Sequence, residues 1–150
     1  MKRLKVLAIA AATGRIGYVF FISGKLRDWG LSRKASKSPA LAAAQTKMWI
    51  EQLSPDAVVT EKVAKTSAKS AKTKYMIEAI NMVASREQLL DIQVARVSDF
   101  KNKYDEAKHL GERFPEMSIW VPRPRRIWEP EPRNTILFEA LSLACTAMEK

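Results

Sequence analysis

Apolar residues fall along the chain in two rhythms, and the first third shows only one of them. Residues 4–11 form a largely apolar run, as expected of a central strand covered on both faces. Thr13-Gly14-Arg15 reads as a turn, and the β-branched and aromatic residues of 16–23 predict a second strand. Gly24-Lys25 gives a tight hairpin turn into a third strand at 26–32. The chain therefore opens as an antiparallel meander.

After a polar, basic loop at 33–37 the rhythm becomes helical. Ser38 followed by Pro39 is an N-cap with proline at the first helical position. Leu41, Ala44, Gln45, Met48 and Trp49 recur at helical spacing as far as Leu53, and Ser54-Pro55-Asp56 stops the helix. Ala57-Val58-Val59-Thr60 predicts a short buried strand running straight into Glu61. A lysine-rich stretch leads to a helix over about 73–87, with Met76, Ile77, Ile80 and Val83. Residues 89–97 read as another strand, and Ser98 as the cap of a helix reaching about residue 113. Between 114 and 133 lie five prolines, two tryptophans and four arginines, so an arm at about 114–134 is expected to be loop or extended chain. A last helix over 135–150 carries Leu137, Ala140, Leu141, Ala144, Cys145 and Met148 on one face, with Glu139, Ser142 and Thr146 on its polar side. A meander followed by alternating helices and strands implies the α/β class, with a mixed sheet and helices on both faces. The length suits one domain over residues 1–150.

Composition narrows the classes of function. Apolar residues make up 47% and charged residues 28%, which is globular rather than disordered. A net charge of +10 points to a polyanion, although charge alone does not separate nucleic acid from an anionic membrane. The single cysteine, Cys145, excludes an internal disulfide and a thiolate metal cage; it reads as a buried thiol in a reducing cytoplasm. The basic residues 1–5 followed by apolar 6–12 look like a short secretory signal, but a second strand-like run at 16–22 follows closely. The segment is therefore read as a buried strand. No stretch approaches the ~20 apolar residues of a membrane span, so no membrane partner is expected. His109 stands alone without a companion at metal-ligand spacing, and a helix surface suits it. There is no phosphate-binding G-x-x-x-x-G-K-[ST] loop, no nucleophile elbow and no Cys/His pairing.

Three blocks in order carry a resemblance. Val6-Leu7-Ala8-Ile9-Ala10 precedes Gly17-Tyr18; Ser54-Pro55-Asp56 leads through apolar residues to Thr60-Glu61-Lys62-Val63; and Glu139-Ala140-Leu141-Ser142-Leu143-Ala144 lies in the last helix. The chain resembles the RuvC family, which reads I-L-G-I-D then G-Y, Q-P-D then I-E-x-V, and D-A-L-A-L-A at similar separations. The resemblance spans nearly the whole chain. It implies a ribonuclease H-like, mixed five-stranded sheet and a structure-selective endonuclease that resolves Holliday junctions.

It also implies a site. Enzymes of this fold hold two Mg²⁺ ions (Mn²⁺ able to substitute) about 4 Å apart on carboxylates from the first strand, the fourth strand and the last helix. Carried over, Glu61 is the strand ligand and Glu139 the helix ligand, while Ala10 stands where the family has its first aspartate. Ile136 stands where many members have a further acid; Glu129, Glu131 and Asn134 are nearby polar candidates. Ala10 has two explanations, an engineered knockout or a natural loss of catalysis with binding kept. Either way the chain is expected to bind DNA and cut it poorly.

Two clusters suit DNA contact. Lys62, Lys65, Lys69, Lys72 and Lys74 occur without an acid from Lys62 to Lys74, next to Glu61, where phosphates would lie. Arg123, Arg125 and Arg126 sit between Trp120 and Trp128 and could clamp backbone or stack on unpaired bases. The resemblance implies a homodimer, since a four-way junction has two-fold symmetry. The helix at 73–87, with Tyr75, Met76, Ile80 and Val83, is the expected dimer surface. Two other readings stay open: a non-catalytic nucleic-acid-binding protein on this fold, and a basic secreted or structural protein.

Overall fold

The opening β-branched and aromatic segments pair edge to edge through two short turns. The computed structural model describes residues 4–63, 69–87, 89–95, 100, 102–126, 128, 129, 132 and 134–149. Strands β1 (Lys5–Ala12), β2 (Arg15–Ile22) and β3 (Lys25–Ser32) form the expected meander. The second turn lies at Ser23 and Gly24, one residue earlier than the sequence reading placed it. Both residues have positive φ (52° and 80°), which suits the right-handed twist of the flanking strands.

Helix α1 (Pro39–Leu53) begins as expected, with Ser38 Oγ accepting from the Leu41 N–H. Strand β4 (Ala57–Glu61) pairs parallel to β1, and β5 (Leu90–Val94) pairs parallel to β4. The sheet order is β3-β2-β1-β4-β5, so the mixed five-stranded sheet expected from the sequence is present. Helix α2 (Ala71–Arg86) is capped by Ser70, α3 (Lys103–Arg113) follows β5, and α4 (Thr135–Met148) closes the chain.

Alternation along β1 divides the core in two. Leu7, Ile9 and Ala11 pack with Trp49 and Ile50 of α1 and with Met76 and Ile80 of α2. Val6, Ala8 and Ala10 pack on the other face with Leu137, Ala140 and Leu141 of α4. Helices thus cover both faces. A buried central strand needs apolar side chains in both directions, which is why β1 reads as a continuous run.

Several expectations are corrected. Strand β5 ends at Val94, and residues 96 and 97 lie outside the described residues, as does Ser98. Helix α3 starts at Lys103, where Asn102 Oδ1 accepts from the backbone N–H groups of Tyr104 and Asp105. The arm is partly regular, since Pro115–Trp120 forms a 3-10 helix that buries Met117. The polar side of α4 is not solvated: α3 packs over it, and Ser142 Oγ donates to Glu106 Oε2 at 3.0 Å. On α2, Met76 and Ile80 are 1% and 2% exposed, because α1 and α2 share one sheet face and turn their apolar stripes inward. They are core residues rather than a dimer surface; Tyr75 and Met82 are the large hydrophobic side chains that α2 exposes.

Candidate functional site

The site is built where β1 and β4 end. Their parallel register matches Val6 with Ala57 and Ala8 with Val59, and continued by two residues it sets Ala10 opposite Glu61. Ala57 and Val59 face α4, so alternation turns the Glu61 side chain to the same face as Ala10. Ala10 pairs with Gly17 on β2. A Cβ at Gly17 would lie 2.9 Å from Ile136 Cγ2, so the missing side chain is what lets α4 press onto the sheet here. Ile136 is fully buried, and Glu139 follows it by three residues on α4. Asn81 of α2 donates from Nδ2 to the Glu61 carbonyl at 3.2 Å, holding the end of β4.

The structure brings Glu61 and Glu139 together through a residue the sequence reading assigned to DNA. Lys69 Nζ lies 3.1 Å from Glu61 Oε1 and 3.1 Å from Glu139 Oε1, and it donates to the Ala11 carbonyl at 3.0 Å. The side chains of Lys69, Glu61 and Glu139 are 19%, 5% and 13% exposed, so the ammonium is turned inward between two sequestered carboxylates.

Arg15, which the sequence reading passed over as part of a turn, is the second cation here. It is buried at the start of β2 and donates to the Thr13 carbonyl and to Thr135 Oγ1. Burial pushes its guanidinium pKa below the ordinary arginine value, while the charge of Glu139 acts to raise it. Two acids and two cations therefore share the junction of β1, β2, β4 and α4.

A pair of Mg²⁺ or Mn²⁺ ions needs hard oxygen donors with a carboxylate bridging between them. Among the described residues, no three or more Asp, Glu, His or Cys side chains come together to hold a metal ion. Ala10 and Ile136 offer no donor atom, and Lys69 lies across the two acids present. Of the nearby polar candidates, Glu129 is 3.6 Å from Arg126, and its carbonyl accepts from Arg125; Asn134 borders the arm beside Trp120. Glu131 lies outside the described residues. The side chains in place do not fit the two-metal site.

Around this centre the surface is basic. Lys72 borders an open depression of about 560 Å³ together with Thr13, Gly14, Arg33, Lys34 and Lys37. The last three were visible in the sequence only as a basic loop; the meander brings them to the edge where β1 ends. Lys62 and Lys74 line a neighbouring depression with Asn81 and Gln93. Lys65 lies outside the described residues. On the arm, Arg123, Arg125 and Arg126 are exposed, and the Arg126 guanidinium lies 5.6 Å from the ring centre of Trp128, itself 75% exposed. Trp120 instead lines an open depression of about 230 Å³ with Trp29, Leu31 and Leu137.

Elsewhere, His109 is exposed on α3 with its ring 5.0 Å from that of Phe100. Cys145 is buried. Among the described residues no helix is long and apolar enough to cross a membrane.

No protein-family model matches the chain, and no curated protein matches it. Solved structures do. RuvC of Thermus thermophilus in complex with Holliday junction substrate is 14% identical, with a TM-score of 0.58, over 97% of this chain and 96% of that one. The fowlpox virus resolvase in complex with substrate Holliday junction DNA is 13% identical, with a TM-score of 0.64, over 97% of both chains. The yeast mitochondrial Holliday junction resolvase Ydc2 is 11% identical, with a TM-score of 0.56, over 93% of this chain and 75% of that one. The chain thus has the ribonuclease H-like fold of RuvC and other Holliday junction resolvases.

Proposed function

We propose that this chain binds branched DNA such as four-way junctions, as a homodimer and within one domain, on a resolvase fold whose cutting site is disarmed. The observation that carries the reading is the meeting of Glu61 and Glu139 at the ends of β1 and β4, where the continued register sets Ala10 opposite Glu61. A net charge of +10 supplies the attraction to phosphate. Lys62, Lys72, Lys74, Arg33, Lys34 and Lys37, which line two open depressions, would contact backbone beside that centre. Lys65 belongs to the same set by sequence, and Arg123, Arg125 and Arg126 form a second contact on the arm. Dimerisation fits the two-fold symmetry of a four-way junction.

The resemblance implies a Mg²⁺-dependent endonuclease of the crossover-junction type, in which Glu61 and Glu139 would be metal ligands. Such hydrolysis belongs to a form of the site with an acid at position 10. Two observations favour natural loss over a single engineered change: Ile136 is apolar and packed, and Lys69 already pairs with both acids.

The reading is tested by mobility shift of a four-way junction and of a linear duplex in chelator, then by adding Mg²⁺ or Mn²⁺ to look for cleavage. Preferential junction binding without cleavage is expected. Equal affinity for both DNAs removes the branched-DNA reading, and cutting by the chain as it stands removes the disarmed one.

A further inference from the structure

The two carboxylates of the site are already neutralised from within the protein. Lys69 Nζ touches Glu61 Oε1 and Glu139 Oε1 at equal distances and takes an oxygen contact from the Ala11 carbonyl as well. Three oxygens, from β1, β4 and α4, thus surround one cation. An ammonium in such a place satisfies the same demand as a metal ion, namely positive charge among oxygen donors screened from water. It differs in being tethered and singly charged: its hydrogen bonds go to Glu139 Oε1 and the Ala11 carbonyl, while Glu61 Oε1 meets it as an ion pair only.

We propose that Lys69 is the resident cation of this centre and stands in for a divalent ion, so that the site takes up no divalent metal while Lys69 is in place. Position 10 and position 136 agree with it. With Asp at both, the centre would carry four acids and call for more charge than one lysine and Arg15 provide; with Ala10 and Ile136, two acids meet two cations. The apolar substitutions and the inward lysine are thus parts of one change. Lys69 also lies one residue before Ser70, the cap of α2, so the ion pairs tie the start of α2 to the ends of β1 and β4. Its role is to hold the centre together without metal.

The inference concerns the metal state of the free protein and is tested without DNA, so its outcome is independent of junction binding. Mn²⁺ binding is measured by electron paramagnetic resonance on the full chain, on Glu61→Gln and on Lys69→Met. The unsubstituted chain is expected to show no Mn²⁺ binding that depends on Glu61. Lys69→Met takes the ammonium away from both carboxylates and is expected to bind Mn²⁺ at least about tenfold more tightly, because a positive charge within contact distance has been removed. Adding Glu61→Gln to Lys69→Met is expected to abolish the gain. Mn²⁺ binding by the unsubstituted chain that Glu61→Gln removes would overturn the proposal, as would a folded Lys69→Met protein with no gain. Should Lys69→Met not fold, Lys69→Gln, which keeps a polar side chain and loses the charge, takes its place with the same expected gain.

Discussion

Ala10 and Glu61 each lie two residues past Ala8 and Val59, the last registered pair of β1 and β4, and Lys69 ties Glu61 to Glu139 of α4, the helix that covers Ala10. Position 10 is therefore the place from which a first-strand acid would meet Glu61. It is also fully buried, beside Gly17 and beneath α4.

That burial sets the effect of Ala10→Asp. A carboxylate there loses its hydration and adds a third negative charge to a centre already balanced by Lys69 and Arg15. The variant is expected to be less stable by roughly 1–3 kcal/mol, the usual penalty for a buried polar group poorly provided for. Urea unfolding checks this. A midpoint unchanged from the parent would show that position 10 has more room or more water than the packing indicates.

Gly17 and Ile136 form a second coupled pair. Gly17→Ala places a Cβ 2.9 Å from Ile136 Cγ2, so α4 must lift or Ile136 must turn, at a cost of about 1–3 kcal/mol. Ile136→Ala alone opens a cavity and costs about 2–5 kcal/mol. In the double variant the new methyl moves into space the isoleucine leaves, so its loss is expected to be smaller than the sum of the two single losses. A double-mutant cycle on unfolding free energies reads the difference; strict additivity would mean that the two residues do not meet.

Alkaline pH is expected to loosen the fold through two acids, the buried Cys145 and the half-buried Tyr18. Burial pushes the Cys145 thiol from 9.0 up to about 11, against the opposing pull of Arg113. Tyr18 is likewise pushed well above the usual tyrosine value, first by burial and then by the hydrogen bond it donates to Asp28. Each group ionises more readily in the unfolded chain. Their contribution is therefore fully present below the unfolded values and is lost as pH rises through the folded ones. Stability is expected to decline between pH 9.0 and about 11, and less steeply in Cys145→Ala. An equal decline in both proteins would remove the thiol from the account.

Much of this was legible in the sequence because buried strands leave a local mark. The apolar run of β1, the break at Ser54-Pro55 and the run from Ala57 into Glu61 placed the sheet and one acid on its edge. Gly17 was legible only as part of the Gly17-Tyr18 pair; that it lets α4 approach the sheet against Ile136 could not be read off. The role of Lys69 was hidden, since it sits in a Lys/Ser/Thr stretch with no apolar period to say which way a side chain turns. Its direction is set by Glu61 and Glu139, eight residues before it and seventy after it in the chain. The burial of Ser142 was hidden for the same reason: α3 covers what looks on a helical wheel like a solvated side.

The most direct measurement of the central claim is a competition between a four-way junction and a linear duplex of the same arm sequence, in chelator, across a series of salt concentrations. The account predicts that the junction outcompetes the duplex at every salt, that both affinities fall linearly on logarithmic axes as phosphate contacts are screened, and that neither DNA is cut. Equal competition by the two DNAs, or the absence of binding at low salt, would contradict it.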